Sequence, residues 1–373
     1  MDSLFEISRT AILLIVIGIC GTPTASFAQE LDLTANQMHS VARIWSIDGR
    51  RVDNCIYWRK AKRFVVLSAL YGVWVVDAAT DTPKVQRLPI ERPAWICEAE
   101  DRLIIGLAPV DAAIGQVSDS QIQVFARDLS SERMTVEGMP AGVQFASCVG
   151  DIAGETVLFC ASSTPTKVAE EVAGVNAQQL VRIGNQAATV IGRRTEFISS
   201  NGSIPVFARL REDVVAVGLQ PATLVFGNIH EVRDLEVSAK LSGNLDDTID
   251  LNPLSGCTRA AFTANLRRAA FATDERLWII DPMSKSLFSV DVELSGCRSM
   301  AVLEDGTAVL LFGNGLTALS LENSVTKTRR NRLKWTIKER GAEYMCGAVD
   351  EDGKIAICGT VDGYIDLITL PQK

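Results

Sequence analysis

The chain has 373 residues, 47% of them hydrophobic, and its 45 acidic against 37 basic side chains give a formal charge of −8. That balance argues against nucleic acid or an anionic membrane surface as the principal partner. Only two histidines are present, His39 and His230, so a histidine-rich metal site is excluded by count, and both read as surface residues.

At the N-terminus, Arg9 precedes an apolar run over 11–20, and a small-residue stretch follows, ending in Ser26-Phe27-Ala28. This is the pattern of a signal peptide over 1–28, with cleavage before Gln29. The ten-residue apolar run falls short of the ~20 that a spanning helix needs. Cys20 does not read as a lipoprotein site, because Ile19 stands where a small residue is expected. A single domain over 29–373 is expected, secreted or periplasmic, with its formal charge moved to −7 by loss of Asp2, Glu6 and Arg9. No later stretch is long and apolar enough to span a membrane, so no membrane insertion is expected after cleavage.

From 41 onward the chain repeats. Strands are expected at 41–47, 55–58, 64–67, 73–76 and 85–88, each short, β-branched or aromatic, and separated by turn residues. Trp74-Val75-Val76-Asp77 with its following strand returns as Trp278-Ile279-Ile280-Asp281. A cysteine opening a new apolar strand recurs at Cys55, Cys97, Cys148, Cys257, Cys297 and Cys346, with gaps of 42, 51, 109, 40 and 49 residues. The gap of 109 holds a further unit without the cysteine, with strands at 204–210, 214–219 and 224–228. Seven units of four short strands predict an all-β, seven-bladed β-propeller. The last unit has strands at 344–349, 354–359 and 364–370 and then stops. Its fourth strand is expected from 41–47, which matches 333–338: Trp45 and Trp335 each precede a unit's cysteine by 10 or 11 residues. An N-terminal strand completing the last blade removes an edge that would otherwise be unpaired.

On the pieces around Trp74 and Trp278, the mature chain resembles the seven-bladed propeller superfamily of periplasmic proteins. Its members include YVTN-repeat proteins and the large subunits of quinoprotein amine dehydrogenases. The Tyr-Val-Thr-Asn string itself is absent. The resemblance implies a fold, and a fold hosts many functions.

Eight cysteines remain after cleavage, an even number, and in an oxidising compartment disulfides are the expectation. Cys148 with Cys160 and Cys346 with Cys358 are each twelve residues apart across a hairpin and are the expected bridges. Cys55 with Cys97 and Cys257 with Cys297 either link neighbouring blades or stay as small buried apolar residues. No Cys-x-x-Cys occurs, so a thioredoxin-like redox site and a haem attachment motif lack support.

Catalytic motifs are missing: there is no H-E-x-x-H, no G-x-S-x-G and no P-loop, and no cofactor, metal site or catalytic residue is expected. Asp350-Glu351-Asp352-Gly353 lacks the alternating ligands of a calcium loop and reads as a hairpin turn. Lys327, Arg329, Arg330, Arg332 and Lys334, without interleaved aromatics, read as a solvated turn. Asn201-Gly202-Ser203 also reads as a turn.

The expected role is a noncatalytic module binding a protein or small ligand. The alternative is an enzyme or enzyme subunit, as amine dehydrogenase large subunits and lactonase-like hydrolases would imply by fold. Strand direction puts second-to-third-strand turns and between-blade connections on one face. Long connections at 108–120, 162–177 and 238–256 would bring Asp111, Asp119, Glu170, Glu171, Asp246, Asp247 and Asp250 to it. An acidic face suited to a cationic ligand or a basic patch is expected there.

Overall fold

A computed structural model of the chain describes residues 40–79, 82–99, 101–108, 119–140, 143–152, 155–168, 171–184, 188–198, 204–211, 214–220, 223–228, 249–250, 259–263, 268–281, 286–292, 294, 296–321, 333–337 and 343–371. The expected signal segment lies outside them, as do His39, His230 and Asn201. No helix among the described residues is long and apolar enough to cross a membrane.

The described structure is built of β-strands. β1 (Ser40–Ser46) comes first, and β2 (Asn54–Trp58), β3 (Arg63–Ser68), β4 (Gly72–Asp77) and β5 (Lys84–Arg87) pair in that order as one antiparallel sheet. β6 (Pro93–Ala99), β7 (Arg102–Leu107), β8 (Asp119–Phe125) and β9 (Ser131–Pro140) repeat the arrangement. So do β10 (Val143–Ile152), β11 (Glu155–Val168), β12 (Glu171–Ile183) and β13 (Ala188–Ile198). A short parallel pairing of β13 with β9 joins these two sets into an eight-stranded sheet.

Four-stranded sheets follow: β14 (Ile204–Arg211), β15 (Val214–Gln220), β16 (Thr223–Asn228) and β17 (Ile249–Asp250), then β18 (Arg259–Phe262), β19 (Ala269–Ala272), β20 (Arg276–Asp281) and β21 (Ser286–Asp291). β22 (Ser299–Val302), β23 (Ala308–Gly313), β24 (Gly315–Ser320) and β25 (Leu333–Ile337) form the next. In the last sheet β26 (Tyr344–Val349), β27 (Ile355–Thr360) and β28 (Tyr364–Thr369) are completed by β1, which pairs antiparallel with β28 from Ser40↔Thr369 to Ser46↔Tyr364. First strands neighbour one another: β2 packs beside β6, β6 beside β10, β10 beside β14, β14 beside β18, β18 beside β22, β22 beside β26, and β26 beside β2.

Burial explains the composition of each strand. β3 and β27 are buried almost throughout, because both faces of a second strand pack on neighbouring sheets, so they read as continuous apolar runs. The fourth strands β1 and β5 are mostly exposed; β5 is correspondingly polar, while β1 keeps Val41, Ile44 and Trp45. Trp74 and Trp278 occupy the same place in the third strands β4 and β20, both buried, each with an arginine (Arg87, Arg276) near its ring face. The repeat read from these two tryptophans is therefore a structural one.

Two expected connections are corrected. Residues 162–177 are not a loop, for Ser162↔Ala177 belongs to a β11–β12 ladder that runs on to Val168↔Glu171. Within 238–256, β17 supplies a fourth strand, with Asp250 opposite Thr223. The run from Asp350 to Gly353 is the expected turn: the Asp350 carboxylate accepts the amides of Lys354 and Ile355 at 2.7 and 2.9 Å, and Gly353 takes φ +67.

Candidate functional site

Every sheet has two ends. At one, the hairpin end, first strands turn into second strands; at the other, the connection end, one sheet passes to the next and second strands turn into third strands. The two ends carry different chemistry.

The hairpin end is wired by ion pairs. Arg59, just after β2, donates its backbone amide to Glu98 Oε1 at 3.0 Å, and its Nη1 lies 3.3 Å from Glu98 Oε2. Its Nη2 reaches Glu304, between β22 and β23, at 2.8 Å. One side chain thus ties three sheets. Lys62 approaches Glu351 of the β26–β27 turn at 3.9 Å. Burial, and then the charges of Glu351, Asp350, Asp352 and Glu98, push the nearby Tyr57 hydroxyl up to about 12. Burial also raises Asp350, against the two amides that favour its charged form.

The connection end has a cross-sheet ion pair of its own, Arg298 with Glu343 at 2.7 Å, but it also leaves large apolar side chains exposed. Among the described residues the exposed large hydrophobics are Trp45, Leu70, Tyr71 and Val361, and all four sit there. Leu70 and Tyr71 form the β3–β4 turn. Leu70 is 54% exposed at φ 66, a left-handed conformation that costs a branched residue energy, and its amide is held by the Pro93 carbonyl at 2.7 Å. Arg50 donates to the Tyr71 hydroxyl at 2.7 Å with its guanidinium 4.2 Å from the ring centroid, while Arg87 donates to the Tyr71 carbonyl at 2.6 Å. The Arg50 carbonyl packs against Gly363, where φ is +81 and a Cβ would collide with it. Val361 is on that same β27–β28 turn. Trp45 ends β1 at 45% exposure, although its repeat counterpart Trp335 is only 8% exposed.

Sequence reasoning missed this cluster, yet the signal was there: an apolar Leu-Tyr pair in a turn where polar residues are expected. Of the acidic residues expected at the same end, Asp111, Glu170, Asp246 and Asp247 lie outside the described residues. Asp119 opens β8, Glu171 opens β12 and Asp250 ends β17, and only their backbones are described. Where side chains are described, this end carries Arg50, Arg51, Arg87, Arg92 and Arg298 alongside Asp48, Asp53, Glu91 and Asp362. Of the expected basic turn, Lys334 lies in β25, partly buried, and the other four residues lie outside the described set.

Among the described side chains, the expected Cys346–Cys358 bridge is corrected, and Cys55 and Cys97 take the alternative of buried, unbridged residues. Cys55, Cys97, Cys297, Cys346 and Cys358 are buried free thiols. Cys346 stands opposite Gly359 and Cys358 opposite Gly347, so an odd offset sends Cys346 and Cys358 to opposite faces of the sheet. Cys148 stands opposite Leu158 and Cys160 opposite Ala146, a diagonal relation of ~7–8 Å rather than a direct pair. Cys55 and Cys97 lie in different core clusters, the first between the β1–β28 and β2–β5 sheets, the second among β6–β13. Cys257 lies outside the described residues, and its expected partner Cys297 donates to the Ser299 carbonyl at 3.3 Å. Burial pushes the Cys297 thiol up to about 11. The Cys55 sulfur lies 3.5 Å from the Cys346 sulfur.

No family model matches the chain, and no curated protein matches it. Solved structures do. The WD40 β-propeller domain of Doa1 aligns with a TM-score of 0.57 at 11% identity, over 90% of this chain and 98% of that one. A chain from the mitotic checkpoint complex aligns with a TM-score of 0.57 at 13% identity, over 89% and 91%. At such identities the likeness speaks of fold: the chain is an all-β protein with a β-propeller fold.

Proposed function

We propose that this protein is an extracytoplasmic seven-bladed β-propeller, closed by β1 in its last blade, that works as a noncatalytic binding module for a protein partner. The succession of first strands from β2 round to β26 and back supports the ring, and the 1–28 pattern supports export. One observation carries the binding role: the exposed large hydrophobics among the described residues gather at the connection end, with Tyr71 held by Arg50. Tryptophan, tyrosine and arginine are the residues that most often dominate binding energy, and a fixed aromatic loses little entropy when covered. The acids expected on the long connections, Asp111, Glu170, Asp246 and Asp247, together with Asp119, Glu171 and Asp250 at strand termini of this end, would steer a partner with a basic patch.

The test is a side-by-side capture from the native extracytoplasmic fraction with the unchanged chain, Tyr71→Ala, and the triple change Asp246→Lys, Asp247→Lys, Asp250→Lys. The partner retained by the unchanged chain should bind Tyr71→Ala at least about tenfold more weakly, and the triple variant should lose salt dependence. Binding that ignores both sets but is abolished by Glu351→Lys at the hairpin end would overturn the proposal.

A further inference from the structure

We propose that Cys55 and Cys346, unbridged at 3.5 Å in this structure, become joined on oxidation by a disulfide that fastens the first sheet to the last. The two sulfurs are 3.5 Å apart, though the residues are separated by 291 positions. A disulfide needs about 2.05 Å, so the sulfurs must approach by about 1.5 Å, a movement within reach of small side-chain rotations.

The surroundings hold both cysteines at this meeting point. They share a core cluster with Val52, Phe64, Val66, Trp74 and Ile357, drawn from both sheets. Val52 donates its amide to the Thr360 carbonyl at 3.3 Å across the seam, and the Ile47 amide bonds the Gly363 carbonyl at 2.7 Å. Gly359 lies directly opposite Cys346, and a Cβ there would collide with Val52 and crowd the Cys346 sulfur at 3.1 Å. The absence of a side chain at this position is what lets the seam come this close. Cys358, the neighbouring thiol in sequence, faces away from the cluster.

The chemistry is thiol–disulfide exchange with a disulfide oxidant, either glutathione disulfide or the oxidised, disulfide form of a thiol oxidoreductase of an exporting compartment. One cysteine thiolate attacks the oxidant and forms a mixed disulfide, releasing one thiolate. The other cysteine thiolate displaces the second. Two sulfurs are oxidised, two thiol protons leave, and the oxidant is reduced to two thiols. In the folded seam both thiols are buried, and Cys55 together with burial raises the Cys346 thiol, so little thiolate is available there. Oxidation therefore belongs to the period when the last sheet is docking, before the seam has shut.

The pairing rests on this geometry, and only the supply of oxidant in the cell rests on the extracytoplasmic reading. The experiment separates the two. The chain is refolded in glutathione redox buffer, blocked with an alkylating agent after denaturation, digested without reduction and mapped by mass spectrometry. A linked peptide pair containing Cys55 and Cys346, lighter by two hydrogens and released on reduction, is expected, and it should persist in Cys358→Ala. The oxidised chain should melt several degrees above the reduced one, a gap that Cys346→Ala abolishes. Alkylation of both Cys55 and Cys346 in the refolded chain, or linkage of either to Cys97 or Cys358, overturns the pairing, whether or not the variants fold. If refolding yields the link while the protein in cells is recovered from the cytoplasmic fraction with both thiols free, the compartment reading fails and the pairing stands.

Discussion

The two ends of the sheets are made from the same kinds of turn and yet differ in what they leave unfinished. At the hairpin end Arg59 spends its hydrogen bonds on Glu98 and Glu304, and Lys62 meets Glu351, so the charged groups there answer one another across sheets. At the connection end, Arg50 is committed to Tyr71, but the aromatic and aliphatic surfaces of Trp45, Leu70, Tyr71 and Val361 face water. Wiring between sheets holds the fold; apolar surface left in water does nothing for the fold and is available to a partner. Stability should therefore respond to the residues that bond between sheets, at either end, and binding to the exposed apolar side chains of the connection end.

The comparison is strained hardest by removing residues 29–48, which deletes β1 and with it Trp45 and Ile47. β28 would lose a partner strand along its whole length, and buried Asp366 would lose Arg43, 3.1 Å away. An open strand edge and an unpaired buried carboxylate together should unfold the protein or make it aggregate. A monomeric truncation with an unchanged melting temperature would show that β1 decorates the sheet without completing it.

Arg59→Met sharpens the contrast at the hairpin end. It should cost about 1–2 kcal/mol, less than a fully buried pair because Arg59 is 34% exposed, and partner affinity should stay put. Chemical denaturation alongside a binding titration reads both quantities.

Alkaline pH probes both ends more gently, through Tyr57 at the hairpin end and Cys297 on the connection from β21 to β22. The folded Cys297 thiol sits near about 11 against an ordinary 9.0, and the folded Tyr57 hydroxyl near about 12 against 10.0. In each case the folded state holds its proton more tightly. The stabilisation is complete below the ordinary value and is lost between pH 9 and 11 for Cys297, and between 10 and 12 for Tyr57. Melting temperature of the chain under reducing conditions should fall across these windows; Cys297→Ala should remove the lower part of the fall and Tyr57→Phe the upper.

Legibility in the sequence followed the distance over which a signal acts. Strands such as β3 and β4 were readable because their periodicity and bounding turns are local, and the last unit's missing strand because β1 shares the Trp45 landmark with Trp335. β17 was hidden, since two residues, Ile249 and Asp250, carry no periodicity. The β11–β12 extension was hidden because Ser162, Ser163, Thr164 and Pro165 have loop composition, and pairing with the opposite strand overrode it. Equal spacing of Cys148–Cys160 and Cys346–Cys358 suggested bridges, but the two registers differ: one sets Cys148 diagonal to Cys160, and the other, off by one residue, sends Cys346 and Cys358 to opposite faces. Nothing local links Cys55 to Cys346. Their meeting depends on the chain ends returning to each other.

The smallest effect on stability, and the sharpest test of the contrast, belongs to Leu70→Gly. Leu70 is over half exposed and held at φ 66, where a branched side chain is strained and glycine is not. Its backbone bond to the Pro93 carbonyl needs no side chain and should survive. Relief of strain in the folded chain opposes the extra freedom that glycine brings to the unfolded one, so the net change should stay within about 0.5 kcal/mol. The apolar surface offered to a partner, in contrast, is deleted outright. Thermal melting indistinguishable from the parent, with weaker partner binding, is the expected pair of results. A loss of several degrees would mean that the left-handed leucine belongs to the wiring of the fold, and the division between the two ends would fail at the residue chosen to define it.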